Sequence, residues 1–264
     1  MISDLNTHAV EFENVSKSFK TTIAIEDLSF HVREREFLAL VGPSGCGKTT
    51  ALRIMAGLLS PTKGRVSVRG KEVNGPVKDL SMVFQSPVLL PWRTTLQNIF
   101  FVAEMRGENP RPYRKRALDL IELAGLQGFE NSYPHQLSGG MRQRVSICRA
   151  LLLEPPLLLM DEPFGALDVM TRERMDFELQ KIWTVTQNTA VLVTHSIAEA
   201  VLLADRIVVM TGRPGQVKAV IEVDLPRPRD KQTFSDPRCV ALGEAVRDQI
   251  GDTEDEQNTR VTAL

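Results

Sequence analysis

Residues 42–49 read Gly-Pro-Ser-Gly-Cys-Gly-Lys-Thr, which fits the phosphate-binding loop pattern G-x-x-x-x-G-K-[ST]. An apolar run over 37–41 precedes the loop, and a helical run over 49–56 follows it. That strand–loop–helix context gives the pattern its meaning. Loop N–H groups can turn inward around an anion, and the helix points its positive end at the same place. A chain carrying this feature is expected to bind a nucleoside triphosphate. Lys48 can reach β- and γ-phosphate oxygens as a point charge, and the Thr49 hydroxyl can ligate Mg²⁺.

Strand and helix signals alternate around the loop. Short β-type runs are expected at 10–12, 28–32, 37–41, 65–68 and 80–84. The middle differs: helical spacing marks 94–105, 114–124 and 140–152, so that 86–155 reads as mostly helical. Alternation then resumes, with strands at 157–160, 190–193, 207–210 and 217–223 and helices at 171–186 and 197–204. A β/α core with an inserted helical subdomain is the natural assembly. Beyond Pro226-Arg227-Pro228 a short helix is expected near 240–250, and the polar, acid-rich stretch from Gly251 reads as disordered.

The bulk numbers exclude some classes. With 32 basic and 33 acidic residues in 264, the net charge is -1, and no basic excess points to nucleic acid. Cys46, Cys148 and Cys239 lack metal or C-x-x-C spacing, which suits a reducing compartment. The first eight residues have neither a basic nor an apolar leader segment, and no stretch approaches a membrane span. Docking on a membrane protein stays open.

Two more segments carry chemistry. The apolar run 157–160 ends in Asp161 and Glu162, at the strand end where α/β proteins bind ligands. Alone, the pair is equally a solvated strand end. Downstream of a phosphate loop, Asp161 suits Mg²⁺ and Glu162 suits the orientation or deprotonation of water. Ser138-Gly139-Gly140 opens a helical run, as either an ordinary N-cap or a second anion-binding nest.

Together these segments resemble the nucleotide-binding subunit of an ATP-binding cassette (ABC) transporter, over about residues 9–225. Leu137-Ser138-Gly139-Gly140 matches that family's signature motif, with Met141 where Gln is usual. The resemblance implies a P-loop NTPase core of ABC type, with an antiparallel β subdomain and the helical subdomain at 86–155. Residues 226–264 would form a C-terminal extension. It implies ATP and Mg²⁺ as ligands. Gly42, Pro43, Ser44, Gly45, Cys46, Gly47, Lys48, Thr49 and Thr50 would hold the phosphates. Phe19, where the family usually has Tyr, would stack on adenine. Gln85 resembles the Q-loop glutamine, Gly165-Ala166-Leu167-Asp168 the D-loop, and His195 the switch histidine that contacts the γ-phosphate. Lys48, Gln85, Glu162 and His195 would then carry catalysis, and Thr49, Gln85 and Asp161 the metal.

The family further implies a head-to-tail dimer, homodimeric or pseudo-symmetric, in which each ATP lies between Lys48 of one copy and Ser138 of the other. The dimer would dock on an integral membrane permease, peripherally, at the cytoplasmic face of the inner membrane. A solute-binding protein would take part indirectly. The apolar stretch Val88, Leu89, Leu90 and Trp92 next to Gln85 suits such docking, or packing under its own helices.

That loop, the Met141 variant and the segment from Arg213-Pro214-Gly215 to Arg229 resemble the nitrate/sulfonate/taurine importer group. Relatives importing thiamin-precursor pyrimidines, and exporter subunits, are the alternatives. A soluble chromosomal or repair ATPase is disfavoured because the gap of about 90 residues between loop and signature carries no heptads. Cys46, inside the loop, is expected to react with thiol reagents and to be shielded by ATP.

Overall fold

The computed structural model describes residues 8–165 and 167–262, with side chains as far as residue 251. The chain forms two compact units. One takes the residues up to Lys78 and from Thr189 onward; the other is Asp79–Asn188.

The first unit opens with a long antiparallel hairpin, β1 (His8–Phe19) and β2 (Thr22–Arg33). Both strands outrun the short expected runs. Their outer faces are mostly polar, and register shifts interrupt the alternation that a sequence reading relies on. Asn14 and Asp27 sit in the left-handed region at φ 49° and 50°. Asn14 Nδ2 donates to Asp27 Oδ1 at 2.7 Å across the irregularity. Next comes β3 (Phe37–Val41), buried at every residue, then α1 (Lys48–Met55). Two further strands, β4 (Lys63–Val68) and β5 (Lys71–Glu72), complete an antiparallel sheet of order β2-β1-β4-β5.

In the second unit β6 (Leu80–Val83) pairs in parallel with β7 (Leu157–Asp161), Val83 opposite Met160. Between them run α2 (Thr95–Met105), α3 (Arg114–Leu123) and α4 (Gly139–Leu151). Thr94 and Gln97 close α2 with a reciprocal capping box. Apolar residues at helical spacing (Leu96, Ile99 and Ala103; Ala117, Leu120 and Ile121) are buried. Each such Leu or Ile contributes roughly 1.5–3 kcal/mol. Asn98, also buried, ties the preceding loop down: its amide donates to Leu90, Arg93 and Thr94 carbonyls, and its Oδ1 accepts from Leu90 N. After β7, α5 (Val169–Thr186) starts at Asp168 and ends at Gln187 in the left-handed region.

The chain re-enters the first unit with β8 (Thr189–Val193), α6 (Ile197–Leu203), β9 (Arg206–Met210) and β10 (Val217–Glu222). Parallel β8 and β9 flank β3, and β10 lies antiparallel on β9. All residues of β3, β8 and β9 are buried. Strands covered on both faces read as unbroken apolar runs, which is why these three were legible.

The C-terminal expectation needs correction. Instead of a short helix followed by disorder, α7 runs Pro237–Thr262. Residues 263–264 lie outside the described residues. Buried Cys239 and Val246 give its first half an inward face, which the charged residues around them obscure in the sequence.

Candidate active site

Residues 42–47 leave the C-terminal end of β3 and enter α1. Gly47 is the N-cap at φ 101°; a Cβ there would lie 2.8 Å from Ile25 Cγ1 and 3.0 Å from the Ala24 carbonyl oxygen. Only glycine lets the chain turn into the helix this close to β2. No acidic residue lies in the first turn of α1, so its positive end is not offset. Lys48 is 6% exposed. Its Nζ donates to the Gly42 and Pro43 carbonyl oxygens at 2.7 and 2.9 Å and lies 3.7 Å from Cys46 Sγ. A buried ammonium inside a glycine loop at a helix N-terminus fits a polyphosphate by charge and by shape. Ser44 and Gly45 are exposed, and Thr49 and Thr50 are half-buried in the first turn.

The expected reactivity of Cys46 does not stand. Cys46 is 1% exposed, and burial pushes its thiol pKa up, against the opposing pull of Lys48. Position in the loop was read from sequence; access to solvent is a tertiary property.

His195 follows β8 and is exposed. Leu40 of β3 pairs with Val193, and Thr194 N donates to the Leu40 carbonyl at 3.2 Å. His195 therefore emerges from the same sheet end as the phosphate loop. Thr194 Oγ1 accepts from Ser196 N at 2.9 Å and donates to buried Glu199, which braces the turn that presents the histidine. Phe19 ends β1 in this unit, half-open to solvent, with Lys17 Nζ 5.4 Å from its ring centre.

The remaining expected site residues belong to the second unit and are described within it. Asp161 is the last residue of β7 and is buried. Glu162 has φ 44°, an unusual backbone for a non-glycine residue. The parallel β6–β7 pair sets Gln85 beside it, and Gln85 Nε2 donates to Glu162 Oε2 at 3.1 Å. Ser138 caps α4, its Oγ accepting from Met141 N at 3.2 Å. Gly140 faces the chain near α5: a Cβ there would lie 3.3 Å from Leu167 Cδ2 and Thr171 Cγ2. Asp168 accepts from Thr171 N at 3.0 Å as the α5 cap, and that bond holds its carboxyl below the usual range. Ala166 lies outside the described residues.

One residue here escaped the sequence reading. Buried Gln143 on α4 donates through Nε2 to the Phe84 carbonyl at 3.1 Å, next to Gln85. A glutamine inside a helix of arginines gives no signal of its own; its meaning lies in what the fold brings opposite.

Comparison with known proteins shows the family. Residues 25–165 match the ABC transporter family. The chain is 48% identical to the aliphatic sulfonates import ATP-binding protein SsuB of Bacillus licheniformis, over 81% of this chain and 82% of that one. It is 45% identical to the taurine import ATP-binding protein TauB of Pelagibacter ubique, over 81% and 82%. Its fold matches the dimeric post-hydrolysis structure of the ATP-binding cassette MJ0796 bound to ADP and Pi, with TM-score 0.71 and 33% identity, covering 82% of this chain and 100% of that one. On these similarities the chain belongs to the ABC transporter family as an ATP-binding subunit with ATPase activity.

Proposed function

We propose that this subunit powers an importer of a small anion of the sulfonate, taurine or nitrate kind, by hydrolysing ATP held between two copies. The loop 42–50, with Lys48 in its interior, holds the phosphates, and Phe19 offers its ring to the base. Thr49, Asp161 and Gln85 supply oxygen donors suited to Mg²⁺, whose chemistry is to neutralise charge on the phosphates. Glu162 orients or deprotonates the attacking water, and Gln85 fixes that carboxylate. His195 contacts the terminal phosphate. Ser138, Gly139, Gly140 and Asp168 act on the nucleotide of the second copy. The observation that carries the ATPase reading is the buried Lys48 ammonium held inside the glycine loop.

Among the described residues no helix is long and apolar enough to cross a membrane. Transport therefore calls for an integral membrane permease, with this chain peripheral on its cytoplasmic side and a solute-binding protein on the other. The loop before α2 offers Trp92, 69% exposed, and Val88, 59% exposed, beside Gln85. Large apolar side chains held out by a braced loop suit protein docking. Similarity to sulfonate and taurine import proteins supports the cargo class.

Gene disruption tests the proposal. Cells would be supplied with taurine, an alkanesulfonate or nitrate as the sole source of sulfur or nitrogen. Growth should fail on one of them, and the wild-type chain should restore it where the Glu162→Gln variant does not. Unimpaired growth on all three would overturn the cargo assignment.

A further inference from the structure

The loop joining β9 to β10 contains Arg213-Pro214-Gly215, a segment with no part in the chemistry above. Thr211 closes it: its N donates to the Gln216 carbonyl and its Oγ1 to the Pro214 carbonyl, both at 2.9 Å. The loop lies hard against the phosphate loop. A Cβ on Gly215 would lie 2.0 Å from the Cys46 carbonyl oxygen, and one on Gly42 would lie 2.8 Å from the Met210 carbonyl oxygen. Gly215 is also stitched to β2, donating to the Ala24 carbonyl at 3.0 Å and accepting from Glu26 N at 3.1 Å. From this wall Arg213 reaches over the phosphate loop, and its Nε and Nη2 donate to the Gly45 carbonyl oxygen at 3.3 and 3.2 Å.

That contact acts on one peptide group. In a trans peptide the C=O and the following N–H point opposite ways. Arg213 holds the Gly45 carbonyl, so the Cys46 N–H of the same peptide points the opposite way, where it donates to the Pro43 carbonyl at 3.3 Å and closes the turn of the loop. Gly45, at φ 76°, has no side chain to hold this peptide, and glycine peptides turn easily. A guanidinium on the carbonyl restrains that rotation, polarises the peptide so that its N–H is a better donor, and adds positive potential at an anion site.

We propose that Arg213 is a positioning residue for nucleotide binding, holding the Gly45–Cys46 peptide, and with it the turn of the loop, in the shape that receives phosphate. This rests on the reading of residues 42–49 as the ATP phosphate site. Arg213 acts through the loop, so its removal should show in affinity for ATP more than in turnover at saturation.

The test uses the purified full chain, a fluorescent ATP analogue with Mg²⁺, and the variants Arg213→Ala, Arg213→Gln, Arg213→Lys and Lys48→Ala. Arg213→Ala should weaken binding and raise KM about tenfold, with kcat within about twofold. Lys, which keeps a charged donor, should recover most of the loss, and Gln less. Melting temperatures of the nucleotide-free variants should stay within about 2 °C of wild type. Arg213→Ala binding as tightly as wild type would overturn the proposal. So would a loss that Lys does not rescue and that tracks a lowered melting temperature, since that describes packing alone. Wild-type binding abolished by Lys48→Ala but unmoved by Arg213→Ala would remove this inference and leave the phosphate site standing. Absence of wild-type binding would remove both.

Discussion

Gln85 Nε2 donates to Glu162 Oε2 at 3.1 Å, joining residues 77 positions apart. The pairing of β6 with β7 creates the contact, because each side chain follows the end of one strand of the same parallel pair. A glutamine amide donates to a carboxylate oxygen without bringing a charge, which suits the proton-accepting role proposed for Glu162. The left-handed backbone at Glu162 marks the position as strained, as functional positions often are.

Replacing Glu162 by Gln should remove the proton acceptor while leaving the phosphate loop untouched. Steady-state phosphate release should fall by about 10²-fold or more, with nucleotide binding retained. Size-exclusion chromatography in ATP should show the variant as a dimer. Undiminished turnover would remove Glu162 from the chemistry.

Gly47→Ala should disable the loop. The new methyl would meet Ile25 and the Ala24 carbonyl at a backbone angle of φ 101° that L-residues avoid. A stability cost of about 1–3 kcal/mol is expected, with a melting temperature lower by roughly 2–4 °C per kcal/mol. ATP affinity should fall more than stability does, which titration beside thermal melting would show.

His31 should make the fold acid-sensitive. Its ring stacks on His8 at 4.1 Å, and its pKa is lowered from the ordinary 6.5 by burial first, then by Arg206, His8 and Arg33, with Glu11 opposing. A base whose folded pKa is depressed stays neutral in the native chain while the unfolded chain takes up the proton. Stability is therefore full above about pH 6.5 and declines as pH falls from there toward the folded value. Melting curves at a series of pH values should show this decline, and His31→Gln should make it shallower. Identical slopes would place the acid sensitivity elsewhere.

Cys46 should resist thiol reagents even without nucleotide, because it is enclosed and its thiol is held protonated. Maleimide labelling of the native chain should be slow, becoming rapid only on unfolding. Fast labelling of the folded chain would show that the loop opens.

Trp92→Ala should lower ATPase activity of the permease-bound assembly several-fold while changing the isolated subunit by less than about twofold. Equal losses in both would make Trp92 part of the subunit's own packing.

The gaps in the sequence reading have physical causes. Buried parallel strands and capped helices announce themselves through apolar runs and N-cap residues, so β3, β7, β8 and β9 and the starts of α2 and α4 lay close to their expected positions. The β1–β2 hairpin and α7 did not, since the hairpin and the first part of α7, to residue 251, alternate buried apolar residues with exposed polar ones. The contacts of the Gln143 amide and the Arg213 guanidinium were silent because no local pattern states what either side chain meets. Each acts on a backbone carbonyl supplied by a distant segment, 59 and 168 positions away.

By itself the sequence determined the chemistry on offer: a glycine loop with a lysine, a strand ending in two carboxylates, a serine–glycine helix start, and the family that shares them. Such motifs are contiguous and depend on local backbone geometry, so linear spacing suffices to specify them. Tertiary structure decided which groups are exposed and which are held. It enclosed the Cys46 thiol, set Gln85 on Glu162, and laid Arg213 across the Gly45 carbonyl. Those outcomes depend on strand pairing and loop packing between residues far apart in the chain, and no short stretch of sequence encodes them.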